Sequence, residues 1–262
     1  MRENTLRTKW NSGKGTVNGW CSMPSPVAAE VMAHCGWDSI TIDLQHGLID
    51  YQAAVGMLQA ISTTETIPLA RVPWREAGII MKMLDAGAYG IICPMVNTRA
   101  QAEELVSYCN YAPKGQRSFG PIRATIYGGA DYGAKANETI LSMAMIETKQ
   151  ALENLDEILS TPGLDGIYVG PADLALSMGH NAQLDPTEPK VLDAISTIIE
   201  GAKRHKIYAG IHCGSVDFAK KALGWGFNYT SMLSDSRLLT MKAVEIVQAM
   251  GSDVEGPKSS TY

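Results

Sequence analysis

Hydrophobic positions along the chain gather into short runs. These are VNGWCS at 17–22, SITID at 39–43, IPLARVP at 67–73, YGIICP at 89–94, ILSMAMI at 140–146, GIYVG at 166–170, KIYAGI at 206–211 and FNYTSM at 227–232. Uninterrupted, β-branched runs of this kind suit strands buried on both faces. Between them apolar residues recur at helical spacing. That spacing predicts helices from Pro26 to about Cys35, from about Tyr51 to Ile61, from Trp74 to Gly87 and from Asn97 or Thr98 to about Tyr108. Further helices are predicted from about Thr148 to Leu159, Pro189 to His205, Val216 to Leu223 and Asp235 to Met250, with a short helical turn from Asp173 to Ser177. Residues 112–136 break the rhythm with Pro113, Gly115, Gly120, Pro121, Gly128, Gly129 and Gly133, an insertion that suits a functional loop or a contact surface. Residues 1–15 read as an N-terminal arm or edge piece, and the polar segment 251–262 as an exposed or frayed tail.

Eight strands alternating with helices predict one domain over residues 1–262, a (β/α)8 TIM barrel of the α/β class. The competitor is a doubly wound open sheet. That fold usually carries a glycine-rich phosphate turn after its first strand, where this chain has Trp20, Pro24 and Pro26.

Composition narrows the classes. The 262 residues are 45% hydrophobic, enough for a sizeable core and too apolar for a disordered chain. The net charge is −5 and the basic residues are scattered, so no nucleic-acid partner is expected. No apolar run reaches the ~18 residues that span a bilayer, so no membrane partner is expected either. The N-terminus lacks the apolar stretch of a secretory signal, which predicts a cytoplasmic protein. The five cysteines form no CxxC pair and are read as reduced core residues.

In a barrel, the polar residues at the C-terminal strand ends share one mouth. Here these are Trp20, Asp43 with His46, Arg71, Pro94, Glu147 and Asp173, with His212 as a further candidate. Each has a plainer alternative. Asp43 can cap a loop, Glu147 and Asp173 can cap helices, and His46 can be a satisfied loop histidine. Arg71, inside IPLARVP, needs a carboxylate partner or an anionic ligand. Glu147 and Asp173 lie 26 residues apart, a spacing that in a strand–helix–strand repeat can place both at the same end of adjacent parallel strands. Together they suit Mg²⁺ or Mn²⁺ with water and a chelating 2-oxo acid. The amides of Ala172 and Asp173 open a helical turn and suit a substrate carboxylate. Arg71 suits an enolate oxygen, and His46 a proton shuttle near neutral pH. These are the parts of a metal-dependent aldolase.

The segments IDLQHG at 42–47, PLARVPW at 68–74, LDAGAYGIICPMV at 84–96, IETKQALENLDEI at 146–158 and GIYVGPADLALSMG at 166–179 resemble the HpcH/HpaI aldolase family over roughly residues 15–250. That resemblance implies a class II pyruvate aldolase, acting on 4-hydroxy-2-oxo acids that yield pyruvate and an aldehyde. It implies Mg²⁺, Mn²⁺ or Co²⁺ on Glu147 and Asp173, Arg71 at the keto oxygen and His46 as base. It further implies that Asp85 supports the histidine across a subunit interface. The implied assembly is a hexamer, a trimer of dimers, with the last helix exchanged between subunits. Met145 departs from the pattern, standing where many relatives carry a Gln near the metal and its waters. Gln45 replaces an acidic residue common in relatives. His212 and Cys213 also depart, and a structural role is expected for His212.

Other functions remain open at this stage. A citryl- or malyl-CoA type lyase or an oxaloacetate decarboxylase would use the same enolate. A Schiff-base aldolase would rely on Lys149, and a non-catalytic barrel would only bind a small acid.

Overall fold

A computed structural model describes residues 1–253. Eight parallel strands close into one barrel in chain order. They are β1 (Thr16–Cys21), β2 (Ser39–Asp43), β3 (Ile67–Arg71), β4 (Gly90–Cys93), β5 (Leu141–Ile146), β6 (Gly166–Val169), β7 (Tyr208–His212) and β8 (Tyr229–Ser234). The predicted (β/α)8 class is therefore the observed one, and the open-sheet alternative falls. Strands β2 to β6 are buried along their whole length, as strands covered by helices outside and side chains inside must be.

Helices α1 (Thr5–Asn11), α2 (Pro26–Ala33), α3 (Tyr51–Ile61), α4 (Ala77–Asp85) and α5 (Arg99–Cys109) lie in the first half of the chain. They are followed by α6 (Ile122–Gly128), α7 (Tyr132–Thr139), α8 (Lys149–Glu153), α9 (Leu155–Leu159), α10 (Pro171–Ser177), α11 (Pro189–His205), α12 (Val216–Trp225) and α13 (Asp235–Ala249). Short polar side chains start several of them by accepting backbone N–H groups: Ser25 from Ala28, Asp50 from Ala53, Thr98 from Gln101, Thr148 from Ala151 and Ser215 from Phe218. No helix among the described residues is long and apolar enough to cross a membrane.

Three segments differ from the sequence reading. The expected N-terminal arm holds α1, whose Trp10 lies 4.8 Å from Tyr208 and 5.2 Å from Tyr229, ring to ring. The amphipathic spacing of Leu6 and Trp10 is what turns an apparent arm into a lid under the barrel. The irregular insertion contains α6 and α7, joined through Gly129 at φ +102°, a backbone state that glycine adopts without strain. The single helix expected over 148–159 is two. Asn154 interrupts it and donates its side-chain amide to the Asn97 carbonyl at 2.8 Å. The tail reading at 251–262 falls mostly outside the described residues.

Inside the barrel, the lower layer is polar. Asn18 donates to Thr41 at 3.1 Å and to Ser231 at 2.9 Å, and accepts from Ser39 at 2.7 Å. Three aromatic rings, Tyr229, Tyr168 and Trp20, run along the interior from the Trp10 end towards the rim, with successive centroids 5.7 and 5.8 Å apart. The barrel is thus filled up to the level at which the strands end, and its upper rim is the floor of a site.

Helix α13 is the exception to the packed outer layer. Of its fifteen residues only Asp235 is buried, while Leu239, Met241, Ile246 and Val247 are exposed.

Candidate active site

Asp43 ends β2 and Arg71 ends β3, and their Cα atoms are direct partners in the parallel ladder. Residues opposite one another in a ladder point to the same face, so this register brings the two charges together. Arg71 Nε donates to Asp43 Oδ1 at 2.9 Å and Nη2 to Oδ2 at 2.6 Å, a two-pronged pair in which both residues are 2% exposed. Asp43 also accepts the Trp20 indole N–H at 3.2 Å and the backbone N–H groups of Gln45 and His46 at 3.0 and 3.3 Å. Burial alone would raise the Asp43 carboxyl, but the Arg71 pair and these hydrogen bonds hold it below the usual carboxylate range. Asp43 is therefore the loop cap expected of it and also the carboxylate partner that Arg71 requires. The guanidinium lies 4.8 Å above the Trp20 ring, which fixes its second face.

His46 stands exposed at the rim, beyond that capped loop. What desolvation it has, with the charge of Arg71, lowers its pKa below 6.5, against the opposing pull of Asp43 and Asp173.

Glu147 directly follows β5, and Asp173 lies in the first turn of α10 beyond β6. Glu147 is 3% exposed, and its Oε1 accepts the Met95 backbone N–H at 2.7 Å. Met95 reaches it from a left-handed backbone state, φ +54°, uncommon for a residue with a side chain. The loop is held in that shape from both sides. Asn97 donates to the Met95 carbonyl at 3.3 Å, accepts from the Thr148 hydroxyl, and through its own carbonyl accepts from Asn154. Gly170 makes room for the carboxylate: a Cβ there would stand 2.6 Å from Glu147 Oε2.

Burial pushes the Glu147 carboxyl up to about 7. The Met95 amide and Arg71 oppose that rise and Asp173 adds to it. Asp173 forms no hydrogen bond or ion pair among the described residues. Two neighbouring carboxylates, one of them buried, lack a balancing cation, and hard oxygen donors suit a divalent ion. No cluster of three or more His, Cys, Asp or Glu side chains able to hold a metal occurs among the described residues. An ion on Glu147 and Asp173 would complete its shell with water and substrate oxygens, the usual habit of Mg²⁺. The donor set therefore fits.

Trp20, Asp43, His46, Arg71, Glu147, Asp173 and the buried Ala172 thus belong to one mouth, as the barrel reading required. A cavity of about 230 Å³ opens there between Trp20, Ser22, Asp43, His46 and Ser234. A cleft of about 550 Å³ at the opposite end, beside Arg7 and Asp165, shares none of these residues. Met145 is buried beneath Gly170, its Cε 3.3 Å from where a Cβ would stand. An apolar side chain thus fills the space below the Glu147 carboxylate. His212 is buried with Nδ1 2.9 Å from the Tyr168 hydroxyl and its ring edge-on to Trp20, the structural role expected of it. Burial and the charge of Arg71 lower its pKa to about 3, so it is neutral. Asp85, the last residue of α4, lies in the outer layer, where it pairs with Arg117 at 2.7 Å. Two participants were not singled out from the sequence, Met95 and Asp235, and the room that Gly170 makes was not foreseen. Asp235 accepts from Ser22 N–H and Oγ at 2.8 Å each, tying β8 to the loop after β1. The Gly-Pro break before Ala172 was the one available signal for Gly170.

Residues 19–241 match the profile of the HpcH/HpaI aldolase/citrate lyase family. The hydroxypyruvate/pyruvate aldolase of Rhizorhabdus wittichii is 43% identical over 244 residues, covering 93% of this chain and 97% of that protein. The 5-keto-4-deoxy-D-glucarate aldolase of Shigella dysenteriae is 34% identical over 221 residues, 84% of this chain and 86% of that protein. Among solved structures, an HpcH/HpaI aldolase/citrate lyase family protein from Burkholderia cenocepacia superposes with a TM-score of 0.88 at 28% identity, covering 95% of this chain and 100% of that one.

Proposed function

The chain belongs to the HpcH/HpaI aldolase/citrate lyase family and is an aldolase, a carbon–carbon lyase; from that premise we propose that it is a metal-dependent aldolase that makes or cleaves a 4-hydroxy-2-oxo acid. The nucleophilic half is pyruvate, or hydroxypyruvate as in the name of the R. wittichii relative. The other half is an aldehyde. The observation that carries this reading is the juxtaposition of a fixed, buried Arg71 with the unbalanced carboxylates Glu147 and Asp173.

Glu147 and Asp173 would hold Mg²⁺, Mn²⁺ or Co²⁺. When bound, the ion supplies Lewis-acid polarisation of the 2-oxo group. The amides of Ala172 and Asp173, which have no intrahelical acceptor at the start of α10, receive the substrate carboxylate. Arg71 donates to the 2-oxo oxygen as it gains charge. Because Asp43 and Trp20 already hold the guanidinium, that donation needs no reorganisation. In the cleavage direction His46 accepts the proton of the 4-hydroxyl. The C3–C4 bond then breaks, its electron pair passes into the enolate, and the aldehyde leaves. Return of a proton to C3 gives pyruvate. His46 is suited to this because its depressed pKa keeps it neutral at pH 7.

The exposed apolar residues of α13 support a homo-oligomer, a hexamer with this helix exchanged between subunits, in which a neighbour's Asp85 approaches His46. The chemistry is tested by assaying pyruvate release after exhaustive EDTA treatment and again after Mn²⁺ or Mg²⁺ is restored. Loss and recovery are expected, and full activity in EDTA would refute the metal-dependent reading.

A further inference from the structure

The cavity of about 230 Å³ beside His46 has one wall made of hydroxyls. Ser22 follows β1, Ser234 ends β8 and Ser236 lies in the first turn of α13, and all three are half-buried and line it. They form one chain. Ser22 Oγ donates to Asp235 Oδ1 at 2.8 Å, the Ser22 and Ser236 Oγ atoms lie 2.8 Å apart, and those of Ser236 and Ser234 lie 3.0 Å apart. Asp235 is buried and also accepts the backbone N–H groups of Ser22, Met23 and Ser236 at 2.8, 3.3 and 2.8 Å, so the inner end of the chain is fixed.

That fixed end sets the direction of every hydrogen bond. A carboxylate only accepts, and each hydroxyl has a single hydrogen. Ser22 commits its hydrogen to Asp235, so Ser236 donates to Ser22, and Ser234 in turn donates to Ser236. Ser234, the outermost member, forms no other side-chain hydrogen bond among the described residues and keeps both lone pairs. The wall therefore offers the cavity acceptors and no free hydroxyl hydrogen. Ser234 also lines a second cleft with His212 and Arg237, but that space is about 10 Å³, room for one water. A substrate group thus meets Ser234 from the larger cavity. At about 230 Å³ that cavity is smaller than the ~300–1,000 Å³ of sites for drug-sized ligands, which suits a short aldehyde.

We propose that Ser234 is a specificity-determining residue, its oxygen accepting a hydrogen bond from a hydroxyl on the aldehyde half of the substrate. This inference rests on the aldolase reading above, in which the 2-oxo end lies at Arg71 and Glu147 and the aldehyde beside His46. Ser236 and Ser22 are positioning residues that act through Ser234 by taking up its hydrogen. A substrate group that only accepts, such as an ether oxygen, meets lone pairs with lone pairs there. A methyl group in the same place leaves the Ser234 oxygen shut off from water with no donor.

The test measures kcat/KM for aldol addition of pyruvate to two matched pairs of aldehydes, in Mn²⁺-loaded wild type, Ser234→Ala and Ser236→Ala. Glycolaldehyde against propanal exchanges a hydroxyl for a methyl group. Methoxyacetaldehyde against butanal exchanges an ether oxygen, which only accepts, for a methylene. Comparing each ratio between proteins cancels the intrinsic reactivity of the aldehydes. Ser234→Ala should lower the glycolaldehyde-to-propanal ratio about 3- to 10-fold, the range for one neutral hydrogen bond. Ser236→Ala frees the Ser234 hydrogen to point into the cavity, so the methoxyacetaldehyde-to-butanal ratio should rise by a similar factor, a change that a merely structural role would not produce. Failure of either ratio to move in its stated direction overturns the proposal. Deuterium exchange into the pyruvate methyl group separates the two readings. If wild type fails to exchange, the aldolase chemistry itself fails and this inference with it. If it exchanges normally, a negative result counts against Ser234 alone.

Discussion

Glu147→Gln should make the metal-free protein more stable while removing its chemistry. The Glu147 carboxyl is raised from 4.5 to about 7 because it is buried with only the Met95 amide and the charge of Arg71 to favour its ionised form, and Asp173 works against it. At about 1.4 kcal/mol per pH unit, ionising it in the folded chain costs about 3 kcal/mol. Below pH 4.5 the carboxyl is protonated in both the folded and unfolded chains and contributes nothing. Between 4.5 and about 7 the unfolded chain has lost the proton and the folded chain still holds it, so stability falls as pH rises. Above 7 the full cost persists until a cation offsets it.

Gln keeps the shape and can still accept from Met95, but it carries no proton to lose. In EDTA at pH 8 the variant should exceed wild type by about 3 kcal/mol, or roughly 6–12 °C in melting temperature for a chain of this size. At pH 5 the gap should shrink below about 1 kcal/mol. Saturating Mn²⁺ should raise wild type and leave the variant where it was, since only wild type offers both carboxylates. The assay is thermal unfolding across pH 5–8.5 with and without metal. Identical pH slopes for wild type and variant in EDTA would refute the claim that Glu147 is held buried and protonated near neutrality.

Three other perturbations probe the remaining parts. Asp43→Asn leaves the 2%-exposed Arg71 without its counter-charge and should cost about 3–5 kcal/mol in urea unfolding, with kcat/KM down at least ~100-fold; a loss below 1 kcal/mol would mean the pair is not what holds Arg71. Gly170→Ala places a Cβ 2.6 Å from Glu147 Oε2 and 3.2 Å from its Cβ, so Mn²⁺ affinity by calorimetry should fall at least ~10-fold; unchanged affinity would show that the carboxylate does not need that space. The acid limb of the pH–rate profile should lie below 6.5, because the active form of His46 is neutral and its pKa is lowered, and His46→Asn should abolish that limb along with most of the rate. A limb that survives the substitution would belong to another group.

The barrel was legible because strands buried on both faces must be apolar throughout, and SITID, LSMAMI and GIYV carry that demand in plain view. Trp20, His46, Arg71, Glu147 and Asp173 were legible for a related reason. A polar residue closing an apolar run has nowhere to point but the rim. What stayed hidden depends on register and on backbone atoms. Asp43 meets Arg71 because the β2–β3 ladder sets their Cα atoms opposite each other, and nothing in IDLQHG or PLARVPW states that alignment. Met95 acts through its amide in a left-handed state that only Asn97, Thr148 and Asn154 together impose, so no side-chain property announces it. The helices α1, α6 and α7 inside the segments 1–15 and 112–139 were not legible, because each is too short for its apolar spacing to stand out from the surrounding chain.

The site puts its two kinds of charge under opposite treatment, and that difference assigns their work. Asp43 is buried and fully satisfied, with five hydrogen bonds from Arg71, Trp20, Gln45 and His46, so it stays ionised and keeps one guanidinium in place. Glu147 is buried to the same degree and given one backbone donor, so it is held short of the charge balance it needs. A chain selected only for stability would have satisfied both. In the proposed reaction the unsatisfied one lies where a divalent ion and a 2-oxo acid would complete it, and the satisfied one aims the donor that would meet the developing enolate. Rigidity is built on the arginine side and electrostatic demand on the carboxylate side, the division that the proposed reaction, with the oxygen gaining charge between them, would need.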